Sequence, residues 1–253
     1  MSNSTRHLIV NADDFGRSHG INRGVFAAHE HGIVTSASLM VRWPSVYDAV
    51  AFARAAPALG LGLHLDLGEW VYQARAWRPS YEVVDQTDAD AVRSEVWRQV
   101  ERFDHLYSEY PTHIDSHQHV HRTEPVRSIV LEVAHELGVV VREEDGEVAY
   151  CGAFHGQTGK GKTLPKAITP DALTRIVSAL GPGTTELACH PGLDDESGSV
   201  YAIERNLEVA ALCDPGVHAT IEACDITLAS FRDVAASCSH PQGEKPTLAP
   251  EGR

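Results

Sequence analysis

Two adjacent carboxylates follow the first apolar segment of the chain. Residues 8–10 predict a buried strand, and Asp13 and Asp14 come shortly after it. Two neighbouring carboxylates repel each other and lose hydration unless a positive group compensates them. A divalent cation would do so. Because adjacent side chains point to different sides, one Asp could bind the ion while the other faces a water molecule. The alternative is an Asp-rich turn that caps the helix near residue 21.

Histidines supply the second set of candidate ligands, and the chain has 15 of them. His64 lies inside the apolar segment 61–65, where a satisfied core histidine is the alternative. Ligand-type side chains also recur at every second position of one segment: His113, Asp115, His117, His119 and His121. They share one face if the strand continues, whereas His117 and His121 share a face at helical spacing. Both geometries can present imidazoles to a cation, and a solvated loop or a histidine hydrogen-bond network is the alternative.

His190 stands immediately before the turn residues Pro191 and Gly192. A histidine at a strand end can donate a proton to a leaving group. A histidine that only stabilises the turn is the alternative.

Residues 156–163 match the phosphate-binding pattern GxxxxGK[ST] letter for letter. That pattern requires a preceding strand and a helix that begins at the Lys-Thr pair. Here Pro165 follows almost at once, and Thr169-Pro170 is a better helix start. We therefore interpret residues 151–163 as a mobile, basic, Gly-rich loop that covers a pocket.

Composition and charge exclude several classes of binding partner. The chain has 253 residues, 21 Lys and Arg against 35 Asp and Glu, and a formal net charge of −14. This charge disfavours nucleic acids and anionic membranes as partners. The longest apolar runs fall short of a membrane span and of a signal-peptide core. Five widely spaced cysteines without a CxxC pair argue against a disulfide scaffold and favour the cytoplasm.

Short apolar runs alternate with helical patterns over most of the chain. Six or seven such units predict a mostly parallel sheet, either a barrel or a doubly wound sheet. In both, functional residues belong at the carboxyl ends of strands. The last of these units has a predicted strand at residues 218–221. We expect one domain over residues 1–237 and a disordered tail over residues 238–253.

Several of these segments together resemble the YdjC family of carbohydrate deacetylases. The matching blocks are residues 8–16, 31–36, 62–65, 111–121 and 186–192, in the order of the family. The resemblance implies a distorted TIM-barrel-like (β/α) barrel of parallel strands, related to the NodB-type polysaccharide deacetylases. The chain is compact between residues 68 and 110, where substrate-contacting loops often lie. The resemblance therefore does not assign the specific substrate of a family member to this chain.

The resemblance also implies a role for each site residue. Asp14, His64 and His117 become the ligands of a divalent ion, Mg²⁺ or Zn²⁺, with His121 as a reserve ligand. Asp13 becomes the general base and His190 the general acid. We further assign substrate contacts to His121 and Arg142.

The predicted function is metal-dependent hydrolysis that removes acetyl groups from N-acetylated mono- or oligosaccharides. The ion would polarise the amide carbonyl and activate water, and acetate would be released. A homodimer is one option for the oligomeric state. The alternatives are another metal-dependent hydrolase on the same scaffold, such as a phosphoesterase, an inactive sugar-binding protein, and a P-loop nucleotide-dependent enzyme.

Overall fold

The structure is a computed structural model that describes residues 5–144, 146–194 and 200–237. Within these ranges the strands are β1 (Arg6–Phe15), β2 (Ser36–Leu39), β3 (Gly60–Leu65), β4 (Gly68–Gln73), β5 (Ala76–Glu82), β6 (His113–Ser116), β7 (Val140–Val141), β8 (Val148–Cys151), β9 (Gly183–Cys189) and β10 (Ile226–Ala229). The α-helices are α1 (His19–Glu30), α2 (Val46–Ala55), α3 (Ala89–Tyr107), α4 (Val126–Leu137), α5 (Pro170–Ser178), α6 (Ala202–Leu212), α7 (Pro215–Ala223) and α8 (Phe231–Ser237). Two short 3₁₀ segments lie at His117–Arg122 and Pro165–Ile168.

One parallel sheet organises the fold. Its order is β7-β6-β3-β2-β1-β9-β8, and β10 pairs with the first half of β1. Every paired strand in this sheet runs parallel to its neighbour. The sheet curls into a half-barrel with β7 and β8 at the two ends of the strand order. The predicted barrel-like fold of parallel strands is therefore confirmed, in an open form.

Side-chain alternation along the strands separates the core from the site. On β3, Leu61, Leu63 and Leu65 belong to the large hydrophobic core that the helices cover, whereas His64 points to the other side. On β1, the even-numbered positions 8, 10 and 12 lie in the same core. Polar side chains of the neighbouring strands are thereby left together on the concave side of the sheet.

Helix caps agree with several predicted boundaries. Thr169 caps α5 by accepting a hydrogen bond from the backbone N–H of Ala172, and Pro170 occupies the first helical turn. Asp88 caps α3 in the same way.

The predicted strand at residues 218–221 is wrong, because these residues belong to α7, which Asp214 caps and Pro215 begins. Strands β8 and β10 were not predicted.

A two-stranded antiparallel hairpin, β4–β5, follows β3 and was not predicted either. Its turn residues, Ala74 and Arg75, both have positive φ, of 50° and 64°. This is the conformation of a two-residue hairpin turn that usually selects Asn or Gly.

The predicted single domain over residues 1–237 stays a prediction, although strands from residue 6 to residue 229 share one sheet. The predicted tail, residues 238–253, lies outside the described residues. Within the described ranges, no helix is both long enough and apolar enough to cross a membrane.

Candidate active site

The carboxyl ends of the central strands meet at a pocket of about 490 Å³. Among its lining residues are all five side chains with predicted ligand or proton-transfer roles: Asp13, Asp14, His64, His117 and His190. They come from the ends of β1, β3, β6 and β9. The strand-end reasoning thus brings together residues that are up to 177 positions apart in the sequence, Asp13 and His190.

A backbone irregularity lets both carboxylates of the Asp pair face this pocket. The register between β1 and β2 shifts between Ala12 and Phe15, and Asp14 has a φ of 64°. Such a bulge turns a side chain that would otherwise point to the opposite face of the strand. Asp13 and Asp14 therefore do not diverge as ordinary neighbours in a strand would.

Asp14, His64 and His117 form the group that can hold a cation. Oδ1 of Asp14 lies 3.0 Å from Nδ1 of His117 and 3.5 Å from Nε2 of His64. One potential ligand atom from each residue lies within 4.8 Å of the other two, and all three residues are buried. Oδ1 of Asp14 lacks a well-aligned hydrogen bond, whereas Arg205 donates to Oδ2 at 2.5 Å.

In each histidine of this group, one ring nitrogen lies close to a carboxylate oxygen. Nδ1 of His64 lies 2.7 Å from Oδ1 of Asp115, and Nε2 of His117 lies 3.3 Å from Oε1 of Glu69. A carboxylate in this position accepts the N–H of the ring and leaves the other nitrogen free to bind a metal ion. The free nitrogens are then Nε2 of His64 and Nδ1 of His117, which are the two that approach Asp14. The donor set therefore fits a divalent ion.

Electrostatics support the same conclusion. Burial by itself favours a neutral His64 ring, but the carboxylates of Asp115 and Asp13 outweigh burial and raise its pKa to about 10. Burial likewise opposes ionisation of Asp14, but Arg205 and His117 hold its pKa well below the usual value. The carboxylates of this site thus favour positive charge where the histidine nitrogens meet, as a bound cation would provide.

A buried arginine, Arg142, fixes the carboxylate of Asp13. Arg142 donates to both carboxylate oxygens of Asp13, at 2.7 and 2.8 Å, and also contacts Asp115 and Glu186. Burial alone would raise the pKa of Asp13, but the guanidinium group of Arg142 lowers it overall. Asp13 is therefore ionised and fixed in orientation at neutral pH.

His190 lies on the other side of Asp13, with Nε2 3.8 Å from Oδ2 of that residue. Its ring packs near the rings of His155 and Tyr201, with centroids 5.2 and 5.4 Å away. Its backbone N–H donates to Glu208. Burial lowers the pKa of His190 to about 3, with the charge of Asp13 only partly opposing. The His190 ring is therefore neutral in the free protein at neutral pH.

The two predicted substrate-binding residues do not line the pocket. His121 is 1% exposed and its Nδ1 bonds to Ser116 Oγ, and Arg142 is 2% exposed beneath Asp13. Neither side chain reaches this pocket, so the structure does not support direct contact of either residue with a substrate there. Arg142 instead positions Asp13. Of the two geometries left open for the histidine segment, the continuing strand is not formed, because β6 ends at Ser116 and the chain then turns through positive φ at Gln118 and His119.

The Gly-rich segment forms one wall of the pocket. Residues 157–161 line it, and the backbone of Leu164 bonds back to Gly156. The preceding strand, β8, ends at Cys151, and α5 begins at Pro170. In this fully described stretch, no helix begins at Lys162-Thr163, so the arrangement of a phosphate-binding loop is not formed.

Sequence reasoning missed the residues that support the ligands. Glu69 and Arg205 lie outside the blocks that match the family, and Glu186 opens the block 186–192 but was given no role. Asp115 was noted only as part of the histidine segment. A signal existed for Glu186 alone, as a charge inside a predicted buried strand.

Comparisons with known proteins show the family to which the chain belongs. The sequence pattern of a family described as YdjC-like protein matches residues 7–223. The chain is 31% identical over 252 residues to a carbohydrate deacetylase of Geobacillus stearothermophilus, covering 90% of this chain and 98% of that protein. It is 29% identical over 258 residues to a chitooligosaccharide deacetylase of Klebsiella pneumoniae (strain 342), covering 90% and 99%.

Solved structures agree on the fold. A putative cellobiose-phosphate cleavage protein of Enterococcus faecalis V583 superposes with a TM-score of 0.74 and 25% identity, covering 91% of this chain and 99% of that one. A family 4 carbohydrate esterase from Streptomyces lividans, in complex with acetate, superposes with a TM-score of 0.50 and 12% identity, covering 88% and 90%. The second likeness is one of fold alone.

Proposed function

The chain belongs to the YdjC-like family, and we propose that it is a metal-dependent hydrolase that removes acetyl groups from N-acetylated sugars or oligosaccharides. The names of the relatives supply the reaction class. The observation that carries the proposal is the convergence of Asp14, His64 and His117 beside Asp13 in one pocket. The products would be acetate and a free amino sugar.

Asp14, His64 and His117 would hold the ion through Oδ1, Nε2 and Nδ1. Carboxylate and imidazole donors suit both Mg²⁺ and Zn²⁺. When bound, such an ion polarises a carbonyl group and lowers the pKa of water. Asp115 and Glu69 orient the two rings, and Arg205 orients the Asp14 carboxylate.

Asp13 is the proposed general base. Its carboxylate lines the pocket, is ionised, and is fixed by the two hydrogen bonds from Arg142. As the water oxygen bonds to the amide carbon, Asp13 takes a proton from that water. A tetrahedral intermediate results, and its collapse breaks the C–N bond.

His190 is the proposed proton donor to the leaving amine. Because burial lowers its pKa to about 3, His190 enters the reaction neutral. The proton that it delivers is therefore the one released by water, received through Asp13, whose Oδ2 lies 3.8 Å from Nε2 of His190. The proton taken up at the start is returned when the amine departs, so the two residues end the cycle unchanged.

The test is acetate release from a panel of N-acetylated mono- and oligosaccharides, with and without a chelator. We expect release from at least one of them, its loss with the chelator, and its recovery with Mg²⁺ or Zn²⁺. Phosphate monoesters run in parallel as the alternative hydrolase substrate. Release of phosphate without acetate, or acetate release that is insensitive to the chelator, would contradict the proposal.

The remaining sequence-based expectations stay predictions. They are the cytoplasmic setting, the lack of nucleic-acid and membrane partners, the homodimer option and the single domain over residues 1–237. We propose none of them on structural grounds.

A further inference from the structure

One face of the β4–β5 hairpin is aromatic. The strand register pairs Tyr72 with Trp77 and Trp70 with Pro79. Because alternate residues share a face and paired residues face the same side, Trp70, Tyr72 and Trp77 lie together. All three line the active-site pocket.

This face begins at the proposed metal ligands. Glu69, next to Trp70, contacts His117 and accepts two hydrogen bonds from Arg17, at 2.9 and 3.0 Å. The side chain of Gln118 exchanges two hydrogen bonds with the backbone of Trp70, at 2.9 and 2.8 Å. The base of the hairpin is thus fixed against the ligand-bearing loop, and its aromatic face leads outward from the site.

The outer end of this face is open to solvent. Trp77 is 54% exposed, and its ring stands edge-on to Tyr72 with centroids 5.5 Å apart. Across the pocket, Nζ of Lys160 from the Gly-rich wall lies 5.4 Å from the centre of the Tyr72 ring. Exposed aromatic side chains at the rim of a pocket are typical of ligand-binding surfaces.

We propose that Tyr72 and Trp77 form a subsite for the sugar ring next to the one that is deacetylated, so that the hairpin selects oligosaccharides over monosaccharides. The inference rests on the proposed function. The apolar face of a pyranose ring can pack on an aromatic ring, and the hydroxyl groups at its edge stay hydrated. The aromatic face and the proposed catalytic residues line the same pocket. When the acetamido group of an oligosaccharide lies at Asp13 and Asp14, the neighbouring sugar ring therefore lies beside the aromatic face.

The test compares N-acetylglucosamine with its β-linked disaccharide in acetate release by wild type, Trp77→Ala and Trp77→Tyr. Arg78→Ala is the matched control, because Arg78 neighbours Trp77 in the same strand but does not line the pocket. We expect Trp77→Ala to lower kcat/KM for the disaccharide about tenfold, a typical effect of losing one aromatic contact. Its monosaccharide activity, the Trp77→Tyr variant and the Arg78→Ala variant should stay close to wild type.

Equal losses on both substrates in Trp77→Ala, or no loss on either, would overturn the inference while leaving the proposed function intact. If neither substrate releases acetate, the full panel of N-acetylated sugars decides the proposed function, and the subsite is tested separately by calorimetric titration with the disaccharide. Weaker binding to Trp77→Ala than to wild type then supports the subsite. Equal binding, or no binding to wild type, overturns it. Circular dichroism of each variant separates these effects from misfolding.

Discussion

Replacing Arg142 with methionine removes the only counter-charge that touches Asp13, Asp115 and Glu186 together among the described residues. The guanidinium group is fully buried, and its nitrogens lie 2.7 to 2.8 Å from oxygens of these three carboxylates. Methionine fills a similar space without charge. The variant therefore removes the shared cationic partner of three buried carboxylates, whereas Asp115 keeps its contact with His64.

This geometry gives the order of magnitude of the expected loss in the free energy of unfolding. One buried pair of unit charges about 4 Å apart interacts by about 4 kcal/mol at an effective dielectric constant of about 20. Desolvation offsets much of that, and breaking a buried ion pair from one side costs about 3–5 kcal/mol. We expect a loss of this size in the free energy of unfolding at pH 7, a large part of the roughly 5–15 kcal/mol of a typical domain.

The loss should also depend on pH. In wild type, burial would raise the pKa of Asp13 and Asp115, and Arg142 outweighs burial and lowers both. Without Arg142, burial prevails and the folded variant binds protons that folded wild type does not. Its stability relative to wild type therefore falls as pH rises, and the deficit should be larger at pH 8 than at pH 5.

Urea unfolding of both proteins at the two pH values measures this deficit. Arg127→Met is the matched control, because Arg127 also forms a bidentate ion pair, with Glu144, but its side chain is 41% exposed. The control should lose less than about 1 kcal/mol. A loss of similar size in both variants, or a deficit for Arg142→Met that is the same at pH 5 and pH 8, would refute the reasoning.

Three further predictions concern the site. Glu69→Gln should weaken Zn²⁺ binding about 10- to 100-fold in calorimetry, because the ring of His117 loses its carboxylate partner, whereas Glu82→Gln, at an exposed position at the base of the hairpin, should not. Lys162→Ala should leave acetate release unchanged and independent of ATP; tight ATP binding that this variant loses would contradict the interpretation of residues 156–163. His190→Ala should lower kcat more than it changes KM, and, because burial lowers the pKa of His190 to about 3, any limb of the kcat/KM profile between pH 5 and pH 8 should persist in the variant. A limb that disappears in it would assign that titration to His190.

The strand-end residues were predictable because topology alone positions them. Asp14, His64 and His117 lie at or just past the carboxyl ends of β1, β3 and β6, and the carboxyl ends of parallel strands meet at one edge. Recognition of the strands predicts only that these residues lie together; their roles, and the choice of His117 within its segment, came from the family resemblance. The same reasoning explains why His190, far away in the sequence, joins them.

The supporting residues were not predictable, since their partners are distant and their local signals are weak. Glu69 reaches His117 only through the hairpin, whose turn at Ala74-Arg75 lacks the usual Asn-Gly signal. Arg142 directly follows β7, and nothing local indicates that three carboxylates surround it.

One open alternative and one error have identifiable causes. A strand that continues through His121 was one of two geometries considered, but the chain turns at Gln118 and His119, and His121 does not line the pocket. The strand expected at residues 218–221 overlooked the pair Asp214-Pro215, a cap followed by a helix-starting proline, which predicts α7 directly.

The central claim is that Asp14, His64 and His117 bind the ion while Asp13 moves the proton. Bound divalent metal per chain, measured beside acetate turnover in Asp13→Asn and His64→Ala, tests it most directly. We predict that Asp13→Asn keeps its metal and loses about 10²–10⁴ in rate, as expected for the removal of a general base, whereas His64→Ala loses both. Near-normal turnover in metal-loaded Asp13→Asn, or unchanged metal affinity in His64→Ala, would contradict the account.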